Sequence, residues 1–208
     1  MIYFFAGALV AVIFGIFTAF RKRTPLFYKI LFFSMVTCLM GAVYSMLYDF
    51  LWTRSYFGFH VGYLGFVGMF FFLYSAYYGA YDSIADGKEP FTRKYRVTAS
   101  ILAVCCFLVS LFLVKLFMKG MWMLCLHIPM SLTFYFAVKH LIIPDVEMGI
   151  IKVMRSFNAV IIMLCLVMTV YFYAFPHTQL KTISGIGTGI LLAVSLPVAR
   201  NGVRKWFI

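Results

Sequence analysis

The apolar residues of this chain come in seven long runs, at 2–20, 25–49, 55–81, 97–117, 121–140, 153–175 and 183–199. Short charged or turn-forming segments separate them. A helix needs about 20 predominantly apolar residues to cross roughly 30 Å of hydrocarbon, and each run reaches or approaches that length. The pattern predicts an all-α polytopic membrane protein with seven transmembrane helices in a single domain over residues 1–208. Thr24 is placed as the N-cap of the second helix, with Pro25 at its first position. Pro129 falls inside the fifth run and is expected to bend it. The first run lacks a basic leader, and RKRTP follows it instead of a small-residue cleavage site, so it reads as a retained helix.

Charge sets the orientation. Fourteen of the eighteen basic residues fall after the first, third and fifth runs or in the C-terminal tail. They include Arg21, Lys29, Lys88, Arg93, Lys94, Arg96, Lys139, Lys152 and Arg200. Only Arg54, Lys115, Lys119 and Lys181 fall on the other side. Basic residues mark cytoplasmic loops, so the N-terminus is expected outside and the C-terminus in the cytoplasm, as an odd number of spans requires. The turn at 115–120 is the joint on which this count depends. Multi-pass insertion in the inner (plasma) membrane follows.

Composition agrees with this reading. The chain is 64% hydrophobic and 12% charged, against roughly half and a quarter in soluble domains. A net charge of +12 then points to anionic lipid headgroups, with no nucleic-acid partner. The five cysteines lie inside apolar runs and form no CxxC spacing, so they are expected to pack as small apolar residues. Gly58 and Gly62, continued by Gly65 and Gly68, and the pair Gly185 and Gly189 offer small faces. Such faces let helices approach closely, within the bundle or in a homo-oligomer.

Candidate chemistry is sparse. Asp49 ends the second run, and a carboxylate at a membrane span is a functional hypothesis by default. It could equally be an interfacial anchor partnered by Arg54 and flanked by Tyr48 and Trp52. On the same side lie His60, Tyr63, His127, Tyr171 and His177, with Lys181 nearby. Together with Asp49 these are the candidate ligand-binding residues, the lining of an aromatic small-molecule site open to the outside. The three histidines show no HxxxH or ExxH spacing, so neither a metal nor a cofactor is expected. Cys125 and His127 are two apart, about 200° around a helix, and form no local catalytic pair. No catalytic residue is assigned, and an enzyme is the less favoured class.

At the other end of the third run, Tyr74, Tyr78 and Tyr81 fall on one face by helical spacing, and Ser75, Asp82 and Asp86 on another. One reading is a tyrosine belt with a solvated acidic turn. The other is a cytoplasmic coupling element of Asp82, Asp86, Arg93 and Arg96, with the carboxylates paired to Arg93, Lys94 or Arg96. Asn158 and Thr169 are buried polar candidates that hydrogen bonds between helices would explain.

The stretch GYLGFVGMFFFLYSAYYGAYDSIADG at 62–87 resembles the third helix and following loop of bacterial seven-helix receptor-like sensor modules. These form the membrane part of some histidine kinases and related signalling proteins. The resemblance rests on the glycine-spaced aromatic helix, the SAYYG turn and the acidic DSIAD segment. It implies a sensory protein that binds a small ligand from the outer side. No output domain follows the last run, so it implies signalling through a separate protein. Two other classes remain open: a small-molecule permease, and an intramembrane lipid-modifying hydrolase. The missing internal repeat speaks against the first, and the missing second carboxylate against the second. A retinal protein would need a lysine in the middle of the last helix, and Lys181 precedes it.

Overall fold

A computed structural model describes residues 1–21, 24–51, 59–82, 92–117, 120–144, 149–175 and 178–206. All regular structure among them is helical. Seven rods follow in order: α1 (Ile2–Ala19), α2 (Leu26–Leu51), α3 (Gly62–Ala76), α4 (Arg93–Leu116), α5 (Met123–Ile142), α6 (Ile150–Tyr173) and α7 (Gln179–Trp206). A π-helical turn, Tyr77–Tyr81, continues α3 without a break. Six of the seven are long and apolar enough to cross a membrane; α3, with 15 α-helical residues before its π turn, is the exception.

The boundaries depart from the apolar runs in two directions. Helix α4 begins at Arg93, and α7 runs from Gln179 to Trp206. Hydropathy marks where the chain sits in lipid, whereas Lys and Arg are good helix formers and carry a helix past that limit. In the other direction, α3 begins at Gly62 instead of residue 55. His60 and Val61 form a turn whose carbonyls accept from the Tyr63 and Leu64 amides. Thr24 does not cap α2. Its hydroxyl donates backwards to the Arg21 carbonyl at 2.8 Å, and the Pro25 carbonyl accepts the first amides of the helix.

Helices α1, α2, α3, α5, α6 and α7 pack in a closed ring, each on the next and α7 back on α1. Helix α4 stands outside this ring against α5 and is the least buried of the candidate spans. The ring interior is filled by large side chains: Phe4, Phe66, Met69, Phe70, Leu73, Tyr77 and Phe157 are essentially fully buried. Large apolar residues such as Phe17, Phe50 and Phe112 point outwards and are more than half exposed. Apolar exposure on this scale suits hydrocarbon contact and not water.

Two close helix crossings explain the glycine pattern. A methyl on Gly41 would lie 2.7 Å from the Gly62 carbonyl oxygen and 2.9 Å from the Gly65 Cα, so α2 and α3 touch backbone to backbone. Gly7 on α1 meets the Gly189 backbone of α7 in the same way. These small faces are filled inside the monomer, so Gly62, Gly65 and Gly189 are unavailable to a homo-oligomer; Gly58 lies outside the described residues. Pro129 lies within α5 without ending it.

The ends of the bundle differ. One gathers the start of α1, the turn before α3, Trp122, Tyr171 and Lys181. The other gathers Tyr28, Asp82, Lys139, Met154 and Gly202. Contacts within each set fix this grouping, among them Tyr63 with Trp122, Met154 with Gly202 and Asp82 with Lys139.

Candidate functional site

The first polar cluster forms where α2 and α6 end and α3 begins. The His60 ring stacks on Tyr48 at 5.1 Å and on Tyr63 at 4.1 Å. Tyr63 continues to Trp122 at 4.3 Å. His60 is half-buried, and its Nδ1 has no hydrogen-bond partner. Burial lowers its pKa below the usual imidazole value, and the nearby Asp49 carboxylate raises it in part. Asp49 is exposed at the last turn of α2 and acts electrostatically on His60, Tyr63 and Tyr171. The Tyr171 hydroxyl accepts from the Met1 amino group at 3.3 Å, and Lys181 Nζ lies 5.2 Å above its ring.

Four of the six candidate ligand-binding residues, Asp49, His60, Tyr63 and Tyr171, therefore share one neighbourhood. His127 joins a different arrangement. It is fully buried on α5, and its Nε2 lies 2.8 Å from the Tyr173 hydroxyl, which also donates to the Ser110 carbonyl at 3.4 Å. Tyr171 and Tyr173 are two apart on α6 and point to different neighbours, which separates His127 from the first group. His177 lies outside the described residues.

The second cluster, at the opposite end, is buried and charged. Asp82 follows the π turn, and its amide donates to the Tyr77 carbonyl, five residues back. Lys139 Nζ lies 2.5 Å from Asp82 Oδ1, and His140 Nε2 lies 3.0 Å from the same oxygen. The side chains of Lys139 and His140 are 3% and 0% exposed, against 21% for Asp82. Burial alone would raise the Asp82 pKa. The hydrogen bonds and positive charge of His140 and Lys139 outweigh it and hold the carboxyl below its usual range. The Asp82 carboxylate expected to pair with Arg93, Lys94 or Arg96 thus meets two residues of α5. Asp86, the other half of that expectation, lies outside the described residues. Arg93 and Arg96 sit in the first turn of α4 and not in a loop.

Aromatic rings surround the charged group. The Tyr77 ring is parallel to that of His140 at 6.1 Å, and Tyr81 packs on His140 at 4.4 Å. The Tyr77 hydroxyl donates to Asn158 Oδ1 on α6 at 2.8 Å, and Asn158 Nδ2 is buried without a partner. The expected single face of Tyr74, Tyr78 and Tyr81 is split. Tyr74 and Tyr78 stack at 5.8 Å with Tyr78 exposed, while Tyr81 turns inwards beside Tyr77. The i→i+5 bonding of a π turn inserts extra rotation, and that rotation carries Tyr81 to the interior. Thr169 bonds the Cys165 carbonyl of its own helix at 2.8 Å and also reaches the Met130 sulfur of α5 at 3.8 Å.

Residue spacing missed Lys139 and His140 because they end an apolar run and read as loop cations. The signal available was Leu141, Ile142 and Ile143: three apolar residues after the pair keep it inside the helix. A buried ion pair at a membrane span, beside an unpaired amide and a π turn, is the arrangement most expected of a working site. Chemically it can hold or release a proton at Asp82 or His140 and can lock α3 to α5. Comparison with family models, with curated proteins and with solved structures found no match for this chain.

Proposed function

We propose that this protein is a receptor-like membrane module that takes a small ligand from the outer side and signals through a separate partner. In this reading α3 and its π turn form the seventh span, the N-terminus is outside and the C-terminus is cytoplasmic in a plasma membrane. The distribution of basic residues supports that sidedness. The ligand is received at Asp49, His60, Tyr63 and Tyr171, and the readout is the Asp82–Lys139–His140 group.

One observation carries the reading: α3 joins the two polar clusters. Tyr63 at its start packs on His60, and Asp82 at its end is held by α5. Between them Phe66, Met69, Phe70 and Leu73 are fully buried. A close-packed interior transmits displacement, and this apolar packing between the clusters favours a receptor over a permease. The bacterial sensor modules resembled at 62–87 supply the signalling context.

The test places a fluorescent bimane on Val61→Cys, which is 52% exposed beside His60, in a background without the native cysteines. Protein in nanodiscs is screened with a panel of small aromatic and cationic metabolites. The reading expects a ligand whose signal disappears in Asp49→Ala and which is neither taken up by proteoliposomes nor chemically changed. Uptake down the gradient of that ligand makes the protein a permease, and turnover makes it an enzyme.

A further inference from the structure

Helices α4 and α5 do not close fully on one another. Between them runs a groove of about 450 Å³, lined on α4 by Ser100, Ala103 and Phe107 and on α5 by Ile128, Ser131 and Tyr135. Val104 and Leu132 on its walls are 56% and 40% exposed, so the groove opens on the lipid-facing side. Its size falls within the usual range for small-ligand sites, roughly 300–1,000 Å³.

One atom in it is out of place. Ser131 is only 8% exposed, and its hydroxyl has no partner. A helical serine in an apolar setting commonly bonds the carbonyl four residues back. Ser45, Ser110, Thr133 and Ser184 all do so here. Ser131 does not, and its buried donor lines a groove that is otherwise almost wholly apolar.

The groove also has a charged end. Arg96 and Arg93 precede Ser100 by four and seven residues, so they continue the same face of α4. Lys94 lies beside them, and the first turn of α4 contains no acidic residue. The amides of a helix N-terminus add to the positive field there. A ligand matching the whole feature is apolar along its length, carries oxygen acceptors near one end and is anionic at that end.

We propose that this groove binds an anionic phospholipid. One acyl chain lies between α4 and α5, the phosphate meets Arg93 and Arg96, and Ser131 Oγ donates to an ester oxygen. The site stands apart from the receptor reading and would hold whatever the signalling role.

Native mass spectrometry of the intact protein tests it, using phosphatidylglycerol and phosphatidylcholine with identical chains as probes. Retention of phosphatidylglycerol is expected to exceed that of phosphatidylcholine by up to about thirtyfold, the scale set by two basic residues near an anionic group. The double variant Arg93→Gln/Arg96→Gln is expected to bring the two lipids level. Val104→Trp fills the groove from its exposed rim without touching the core and is expected to remove both adducts. Ser131→Val is expected to lower phosphatidylglycerol retention several-fold. Equal retention of the two lipids by the parent protein, or full retention by Val104→Trp, overturns the proposal. So does a dimer mass that Val104→Trp abolishes, which would make the groove a contact between copies.

Discussion

Lys139 of α5 reaches the Asp82 carboxylate at the end of α3, 2.5 Å away, with only 3% of the lysine side chain exposed. The pair fastens two neighbouring helices of the ring at one end of the bundle. Breaking a buried pair by removing one partner typically costs about 3–5 kcal/mol, whereas replacing both by apolar residues is often neutral. Lys139→Met leaves Asp82 one-fifth exposed and still beside His140, so its cost is expected at the lower bound, about 3 kcal/mol. The double variant Asp82→Leu/Lys139→Met is expected to recover most of that loss. Thermal unfolding of all three variants in detergent measures the coupling.

The same carboxylate makes stability depend on pH. The Asp82 pKa is lower in the folded protein than its ordinary value, so folding favours the ionised form. The contribution is complete above the unfolded pKa, about 3.9, and is lost as pH falls through the lower folded value. Melting temperature is expected to fall more steeply below about pH 4 in the parent protein than in Asp82→Asn. Parallel curves for the two proteins would assign the acid sensitivity elsewhere.

Glycines of the third helix are expected to divide by what they face. Gly65→Ala drives a methyl into the Gly41 backbone and is expected to cost about 1–3 kcal/mol or more, since backbone cannot move aside as a side chain can. A methyl on Gly68 meets only Thr37, at 3.5 Å or beyond, and Gly68→Ala is expected to be neutral or slightly stabilising. Comparing the two melting temperatures separates close packing from general loss of glycine.

What the sequence made legible follows from what lipid enforces. Long apolar runs and the distribution of basic residues give helices and their approximate limits, because each segment must satisfy its own backbone. The small faces at Gly62 and Gly65 are legible for the same reason, although their partner Gly41 is visible only in three dimensions. The cluster at His60 was partly legible: Asp49, His60, Tyr63 and Tyr171 share a neighbourhood, while His127 turns to Tyr173. The cluster at Asp82 was not. Asp82 and Lys139 are far apart in sequence, and no local spacing joins them. The π turn that directs Tyr81 inwards has no periodic signature, since it covers only five residues. Asn158 was expected to hydrogen-bond between helices and does so, to the Tyr77 hydroxyl; its place beside the ion pair is visible only in three dimensions.

In the proposed reading α3 links the two ends of the bundle. The most direct measurement is the emission of bimane at Val61→Cys, without ligand and at neutral pH, in Asp82→Asn. Lys205→Gln, which removes an exposed charge at the same end, serves as the control. With α3 linking the two ends, a shifted emission maximum and altered quencher access are expected in Asp82→Asn, with Lys205→Gln matching the parent. Emission and quenching in Asp82→Asn identical to those of the parent would contradict it.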